Sequence, residues 1–193
     1  MSDHLDRALT AIDDLHRQDP DRVAGPAGEQ AAELVYAQRM SEHLLRLEPT
    51  ASEALQIAVR CQHLMRWTLT RDEFPEGRAG YRQWRSESSR RHAEMAAKCV
   101  VQAGYDQAFA DRVSSLVRKQ RLASSSEAQT LEDVACLVFI EHHLEDFARK
   151  HAPDKLRDIL RKTWNKMSER GHSAALQISL PAGLRAVVVD AVS

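Results

Sequence analysis

Two histidines and one aspartate have the residue types and positions that could bind a metal ion. Asp133 shares a helical face with the apolar residues three, four, seven and eleven positions further along the chain. His63 lies one turn from Val59 and from Trp67, and His92 precedes three apolar residues on its own face. Because an unpaired buried carboxylate is costly, Asp133 needs a metal, a proton or a basic partner. Two imidazoles and a carboxylate on separate helices therefore predict a divalent transition metal (Mn, Fe or Zn) bound by His63, His92 and Asp133.

The same residues also fit a purely structural interpretation. Each histidine can be a hydrogen-bonded core residue, and Asp133 can pair with Arg60 or Arg66 inside the bundle. Two more imidazoles extend the set of candidates. His43 falls on the apolar face of its helix, and His172 can join either the metal site or a neighbouring row of cations.

Two rows of basic side chains at helical spacing could bind an anion. Arg78, Arg82 and Arg85 share one face at the start of a helix, where charge-assisted hydrogen bonds and the helix dipole favour phosphate or carboxylate. A second row, spaced every four residues, comprises Lys162, Lys166 and Arg170. Like charges at this spacing weaken a helix slightly, so the rows predict an anionic ligand, with a solvated helix face as the alternative.

The elements that must position these side chains are helices. Of 193 residues, 43% are hydrophobic and only 5% aromatic, which favours an all-α, single-domain bundle. Turn and capping signals predict about seven helices, at residues 3–17, 28–47, from a capping box at 50–53 to 69, 79–102, 106–121, 127–150 and 154–170. Residues 19–28 and 70–78 are predicted loops, the second a candidate lid, and Gly171 is the predicted C-terminal stop of the last helix. The predicted helical domain covers 1–176, and the structure of the tail at 177–193 stays undecided.

Charge limits the partners that this chain can have. The 27 Lys and Arg side chains nearly balance the 28 Asp and Glu side chains, so a global attraction to nucleic acid or to an anionic membrane is not expected. The balance is a cancellation, since residues 127–146 carry six carboxylates and no Lys or Arg. Short apolar runs and an acidic N-terminus predict a cytoplasmic protein without a membrane span or secretory signal, and the three cysteines are expected to be reduced. Homo-oligomerisation stays open.

The candidate ligands follow an order found in a known superfamily. A His, a second His and then an Asp within Leu131-Glu132-Asp133-Val134-Ala135 resemble the helical HD superfamily of metal-dependent phosphohydrolases. The resemblance implies an HD-like bundle in which Asp133 is the final ligand and His63 is the first histidine or the histidine of the His-Asp pair. His43 is the alternative first histidine. The family's adjacent His-Asp pair does not occur in this sequence.

A second resemblance covers most of the chain. Its motifs are Arg78-Ala79-Gly80-Tyr81, Trp84-Arg85, His92-Ala93-Glu94, Leu131-Glu132-Asp133-Val134 and Lys166-Met167-Ser168-Glu169-Arg170-Gly171-His172. They resemble an uncharacterised bacterial and fungal family catalogued as a domain of unknown function. This resemblance implies no particular activity.

These observations lead to one functional hypothesis and two alternatives. The hypothesis is a metal-dependent hydrolase of a small anionic, phosphorylated substrate, in which metal-bound hydroxide attacks a phosphate ester. Glu132 or Glu94 would be the general base, and Arg78, Arg82, Arg85, Lys162 and Lys166 would bind the substrate, with Arg66 as an additional contact. The alternatives are a non-catalytic helical module that binds an anionic ligand or protein, and an HD-type di-iron oxygenase.

Overall fold

The computed structural model of the chain describes residues 2–25, 28–120 and 124–192. These residues are mostly helical, which confirms the all-α prediction. The helices are α1 (Asp3–His16), α2 (Ala32–Leu47), α3 (Glu53–Arg60), α4 (Gly77–Gln102), α5 (Gln107–Val117), α6 (Ser126–His142), α7 (Leu144–Lys150), α8 (Pro153–Trp164), α9 (Glu169–Leu176) and α10 (Ala182–Val192). Strands β1 (Arg22–Gly25) and β2 (Gly28–Ala31) form an antiparallel hairpin, and 3-10 turns lie at Arg66–Thr68 and Arg71–Glu73.

Two hydrophobic clusters hold the helices together, and α6 contributes to both. In the larger cluster, Leu5 and Ile12 of α1 pack with Leu55 and Ile57 of the nearly all-apolar α3. Burying a side chain of this size stabilises the fold by about 1.5–3 kcal/mol relative to leaving it exposed. In the smaller cluster, Leu137 and other residues of α6 meet apolar residues of α8 and α10. One helix therefore couples the two ends of the molecule.

The C-terminal segment, which the sequence left undecided, contains α10. This helix packs against α8, where Arg161 Nε donates a hydrogen bond to the Ala191 carbonyl at 3.2 Å. Val188 and Ala191 are buried in the smaller cluster. Within the described residues, no helix is both long and apolar enough to cross a membrane.

The second predicted helix begins later than expected, because a hairpin occupies residues 22–31. The predicted start at residue 28 is wrong, and α2 begins at Ala32. The buried Asp19 accepts hydrogen bonds from the backbone N–H of Asp21 at 3.0 Å and of Glu33 at 2.9 Å. This carboxylate therefore fixes the first turn of α2 and the position of Glu33.

The third predicted helix stops nine residues early. It ends at Arg60, whose carbonyl oxygen lies 2.9 Å from a ring nitrogen of His16. Turns follow in which His63 and Met65 have left-handed backbones, with φ of 62° and 57°. Cys61 and Leu64 are buried in these turns as they would be in a helix, so the apolar pattern cannot distinguish the two structures.

Each of the last two predicted helices is divided into two. α6 ends at His142, and α7 starts at Leu144. α8 ends at Trp164, and the Ser168 hydroxyl caps the new helix α9. Gly171 is therefore inside α9 and does not end a helix. A Cβ atom at this position would lie 2.8 Å from Cγ of Asp133, so glycine permits the close approach of α9 and α6.

Candidate functional site

A cleft with a volume of about 700 Å³ opens between α2, α4, α6 and the turn that follows α3. The end of α5 and the loop after α8 complete its walls. This volume is in the range of small-molecule sites. The lining combines acidic, basic and aromatic side chains, which include Glu33, Tyr36, His63, Arg66, Tyr81, Trp84, Arg85, His92, Arg118, Lys119, Glu132, His143 and Lys166.

His63 lies at the centre of one wall, and the turn after α3 positions it. Its ring stacks on Tyr36 with centroids 4.5 Å apart and planes inclined by 10°. Arg66 Nη1 donates to the ring, 3.1 Å from Nε2, and the Glu33 carboxylate is 3.5 Å from Nδ1. The same Nη1 atom lies 3.3 Å from Nδ1, so the guanidinium of Arg66 contacts both ring nitrogens. The His92 ring lies beside it, with centroids 6.4 Å apart.

Glu33 has an environment suited to proton transfer. Burial raises the pKa of Glu33 to about 7, although Arg66 and His16 pull the pKa of this carboxyl down. The carboxyl group therefore changes its protonation state near neutral pH. A carboxyl with a pKa near the working pH can act as a general acid or base.

The two histidines of this wall are neutral at pH 7. Burial lowers the pKa of His63 well below its usual value, and the cations Arg66 and Lys119 lower it further. Burial also lowers the pKa of His92 to about 3, with smaller contributions from His63 and Arg66. Yet 32% of the His63 side chain is exposed to the cleft, so a ligand can reach its ring.

The opposite wall carries more positive than negative charge. Lys119 forms an ion pair with Glu132, and Lys166 Nζ lies 3.8 Å from the other carboxylate oxygen of Glu132. Burial raises the pKa of Glu132, but the two lysines and Arg85 outweigh burial and lower it. Glu132 is therefore ionised at neutral pH, and it offsets one of three nearby cations.

Lys119 reaches the cleft because α5 ends in a Schellman motif. The N–H of Lys119 donates to the carbonyl of Leu116 at 2.8 Å, and the N–H of Gln120 donates to the carbonyl of Ser115 at 3.0 Å. Lys119 occupies the left-handed position of this motif, with φ of 52°, where glycine is the usual residue. Lysine therefore places a cation at a position where the usual residue, glycine, has no side chain.

Aromatic residues fix the direction of Arg66. Its guanidinium lies over the Trp84 ring, 5.1 Å from the centroid, which is a cation–π contact. The Trp84 indole N–H donates to the Leu69 carbonyl at 3.0 Å. Tyr81 packs beside Trp84 with centroids 5.8 Å apart, and Tyr81 is 46% exposed. The cleft thus presents an oriented cation next to an accessible aromatic ring.

The three arginines of the cleft lining form no ion pair with the described carboxylates, unlike Lys119 and Lys166. Among the described residues, no carboxylate oxygen lies within 4.0 Å of the guanidinium groups of Arg66, Arg85 or Arg118. The two acidic residues in the lining are Glu33, which titrates near neutrality, and Glu132. The arrangement can bind an anion that offers several acceptor oxygens.

The comparisons with known proteins agree with one of the two resemblances. The model of a family described as a domain of unknown function (DUF4202) matches residues 6–188. The chain belongs to this family. No curated protein and no solved structure matches the chain. Membership of an uncharacterised domain family is thus confirmed, and the matched region contains all residues of the cleft. The resemblance to the HD superfamily stays a prediction.

Asp133 does not join His63 and His92 at the cleft. Its carboxylate accepts hydrogen bonds from the N–H of Ser168 at 2.8 Å, from the Ser168 hydroxyl at 2.5 Å and from Gln129 Nε2 at 3.0 Å. These donors compensate its burial, so it needs neither a metal nor an arginine. The alternative prediction that Asp133 pairs with Arg60 or Arg66 is wrong as well. Arg60 pairs with Asp13, and Arg66 contacts His63.

Two of the five predicted substrate-binding cations reach the cleft. Arg85 and Lys166 line it, as does the additional candidate Arg66. Arg78 and Arg82 are exposed and lie outside the lining. Lys162 faces away from the cleft and pairs with Asp158 at 2.5 Å. The two rows are therefore not two complete anion-binding faces, and each contributes one side chain.

The other predicted residues have varied surroundings. Glu132 lines the cleft, whereas Glu94 is exposed, pairs with Arg90 and lies outside it. His172 stacks on Trp164 with centroids 3.9 Å apart, and one ring nitrogen lies 2.9 Å from the Trp164 carbonyl oxygen. This contact gives His172 a structural role. His43 contacts Glu141 outside the cleft lining.

Sequence reasoning missed Glu33, Tyr36 and Lys119. A signal for the first two existed, because Glu33, Tyr36, Met40 and His43 recur at helical spacing on one face of α2. Extending the inward face of His43 back by two and by three turns would have found Tyr36 and Glu33. Lys119 had no such signal, since the sequence predicts a helix through residue 121 and nothing marks a left-handed residue there.

Proposed function

We propose that the cleft binds a small phosphorylated molecule and that the chain hydrolyses its phosphate ester. The observation that carries this proposal is the excess of cations in one cleft of a chain whose formal net charge is −1. Arg66, Arg85 and Lys166 come from three separate elements, so their convergence is not the by-product of one solvated helix face. Arginine binds phosphate oxygens through paired N–H donors, and lysine adds a compact charge.

The aromatic side chains indicate the class of substrate. Tyr81 offers an exposed ring in the same cleft as the cations, and Trp84 lies against it. A planar group attached to the phosphate can stack on such a ring. An aryl or nucleoside phosphate therefore fits the lining better than a phosphorylated aliphatic chain.

In this proposal Glu33 is the general base. Its ionised form accepts a proton from a water molecule as the water oxygen attacks phosphorus. The ester P–O bond breaks, the alcohol leaves with a proton from solvent, and Glu33 returns its proton to solvent. Arg66, Arg85 and Lys166 stabilise the negative charge on the phosphoryl oxygens. Neutral His63 lies 3.5 Å from the Glu33 carboxylate and adds no charge beside it.

The divalent metal predicted from the sequence does not fit the cleft as its side chains are arranged. Among the described residues, His63 and His92 do not share with any carboxylate a set of ligand atoms within 4.8 Å of one another. The proposal therefore routes no step through a metal at this position. A di-iron oxygenase has no support either, because it needs more clustered carboxylates and histidines than the described part of the cleft provides.

The experiment is an assay of phosphate release from a panel of aryl and nucleoside phosphates, with and without added Mn²⁺ or Zn²⁺. Glu33→Gln should lower kcat by at least ~100-fold, because general base catalysis contributes factors of this size. The matched control is Glu29→Gln, since Glu29 is an exposed carboxylate on the adjacent strand β2. Equal turnover in the two variants would refute the assignment of Glu33.

The second candidate is a non-catalytic module that binds the same phosphorylated ligands. It is favoured by the same cations, which need no chemistry to hold an anion. Isothermal titration of the panel distinguishes the two functions, because this candidate predicts binding without phosphate release. Failure of every phosphorylated compound to bind at millimolar concentration would contradict both.

A further inference from the structure

A second group of chemically active side chains lies outside the cleft lining, where α2 meets the end of α6. His43 of α2 and Glu141 and His142 of α6 each offer a ligand atom, and these atoms all lie within 4.8 Å of one another. We refer to these three residues as the α2–α6 cluster. Two helices supply the cluster, so it exists only in the folded chain.

One imidazole nitrogen of each histidine in the cluster is buried without a hydrogen-bond partner among the described residues. His43 is 4% exposed. Its Nε2 lies 2.8 Å from Glu141 Oε2 but is not aligned for a hydrogen bond, and among the described residues neither this nitrogen nor His142 Nε2 has a partner. The two rings meet edge to face with centroids 5.8 Å apart. A buried polar atom without a partner is costly, and such atoms mark sites for an unassigned ion or ligand.

We propose that His43, Glu141 and His142 bind a Zn²⁺ ion. Two imidazoles and one carboxylate are a common ligand set for zinc with an open fourth position. Bonds of about 2.0–2.2 Å in a tetrahedral site place ligand atoms about 3.3–3.6 Å apart. In the α2–α6 cluster, His43 Nε2 and Glu141 Oε2 are 2.8 Å apart, and all three ligand atoms lie within 4.8 Å of one another. The spacing that zinc requires lies between these two distances. Glu141 is on the solvent side, so water can occupy the fourth position.

Two neighbouring cations, Arg39 and Arg46, oppose the ion. Arg46 Nη2 lies 3.7 Å from the Glu141 carboxylate, and 59% of the Arg46 side chain is exposed. Bound Zn²⁺ would repel this guanidinium, which is free to move into solvent. Removing the charge with Arg46→Gln should therefore strengthen zinc binding, which is the opposite of what loss of a ligand does.

The test is a zinc titration of the full chain, made without a histidine tag and freed of metal by a chelator. Calorimetry should show one equivalent of Zn²⁺, and Co²⁺ in its place should give the visible absorption of a low-coordinate cobalt site. Glu141→Gln and His142→Ala should each weaken Zn²⁺ binding at least ~10-fold, since even residues behind a metal ligand have effects of that size. Both residues lie outside the fully buried core, so these variants should fold.

The matched control is His143→Ala. His143 follows His142 directly but lines the cleft, so its removal should leave zinc affinity unchanged. The proposal is overturned if Zn²⁺ fails to bind, if Glu141→Gln and His142→Ala bind it as tightly as the unaltered chain, or if His143→Ala abolishes binding. This site does not depend on the proposed function of the cleft, because it uses none of the residues that line it.

Discussion

Histidine and carboxylate side chains meet in two neighbouring places, and the balance of the charges around them differs. Five cations and two carboxylates line the cleft, whereas arginines and glutamates are equal in number around the α2–α6 cluster. In the cleft, Glu33 and His63 lie among Arg66, Lys119 and other cations. In the α2–α6 cluster, the Glu141 carboxylate lies 2.8 Å from His43, and its arginine neighbour is at the exposed rim. The same residue types are thus suited to an anion in one place and to a cation in the other. The surrounding charges, rather than the imidazoles, determine which ion each site favours.

The sequence-adjacent residues His142 and His143 show how closely the two sites approach. His142 belongs to the α2–α6 cluster, and His143 lines the cleft. The break between α6 and α7 at His143 ends the regular helical spacing. Neighbouring side chains can therefore serve different sites.

The largest expected effect concerns the one predicted ligand that belongs to neither site. Asp133→Ala should lower the free energy of unfolding by about 3 kcal/mol, because it leaves the partly buried N–H and hydroxyl donors of Ser168 without an acceptor. Urea denaturation measures this change. Zinc affinity, corrected for the folded fraction, should not change; a loss of zinc binding by the folded variant would restore Asp133 as a ligand.

The next effect is a pH dependence of stability that comes from one carboxyl group of the cleft, Glu33. Because the folded pKa of Glu33 is about 7, above its usual 4.5, the folded chain holds a proton between these values that the unfolded chain has released. This contribution to stability is present at pH 4.5 and is lost as the pH rises through 7, with an upper limit of about 3 kcal/mol.

Urea denaturation at pH 5 and pH 8 of the unaltered chain and of Glu33→Gln measures the contribution of this carboxyl. The difference between the two proteins should grow with pH in favour of Glu33→Gln. A pH-independent difference would show that the Glu33 carboxyl titrates normally. Glu29→Gln serves again as the control.

A smaller effect on phosphate binding should distinguish Lys166 from Lys162, which lies four residues before it. Lys166→Gln should weaken the binding of inorganic phosphate or a nucleoside phosphate about 10-fold, or about 1.4 kcal/mol, because it removes a charge from the cleft. Lys162→Gln should have almost no effect, since Lys162 pairs with Asp158 outside the lining. Calorimetric titration provides both numbers. Equal losses would mean that the cation row, not the cleft, binds the anion.

The smallest expected effect is coupling between the sites. Saturating Zn²⁺ should change the affinity of the cleft for phosphate by less than about 3-fold, because the two sites share no side chain. The measurement is a phosphate titration at zero and at saturating zinc. A much larger change in phosphate affinity would show that the two sites act as one functional unit.

The sequence was sufficient to predict the fold class and part of the cleft. The candidate ligands His63 and His92, the candidate base Glu132 and two predicted cations, Arg85 and Lys166, line one cleft. The sequence could not show that Asp133 turns towards Ser168, because that contact depends on where α9 starts. Helical periodicity describes the faces of one helix, so it does not predict that a capping serine and a glycine of α9 contact α6.

The positions of chain reversals were the main cause of the errors. The turn after α3 buries Cys61 and Leu64 as a helix would, so composition alone extends the helix to residue 69. His142 of α6 contacts His43 of α2 across the helix interface. The sequence contained no sign that Glu141 would join them, because exposed acidic residues near helix ends are common.

The left-handed residues beside the cleft imply a trade-off between stability and binding. His63, Met65 and Lys119 are non-glycine residues with positive φ, and the first and third line the cleft. Such a backbone costs about 1 kcal/mol or more at each residue. Lys119→Gly would relieve this strain at the end of α5 and delete a cation of the cleft in the same step. A variant selected only for thermal stability would therefore tend to lose one cation of the proposed anion site.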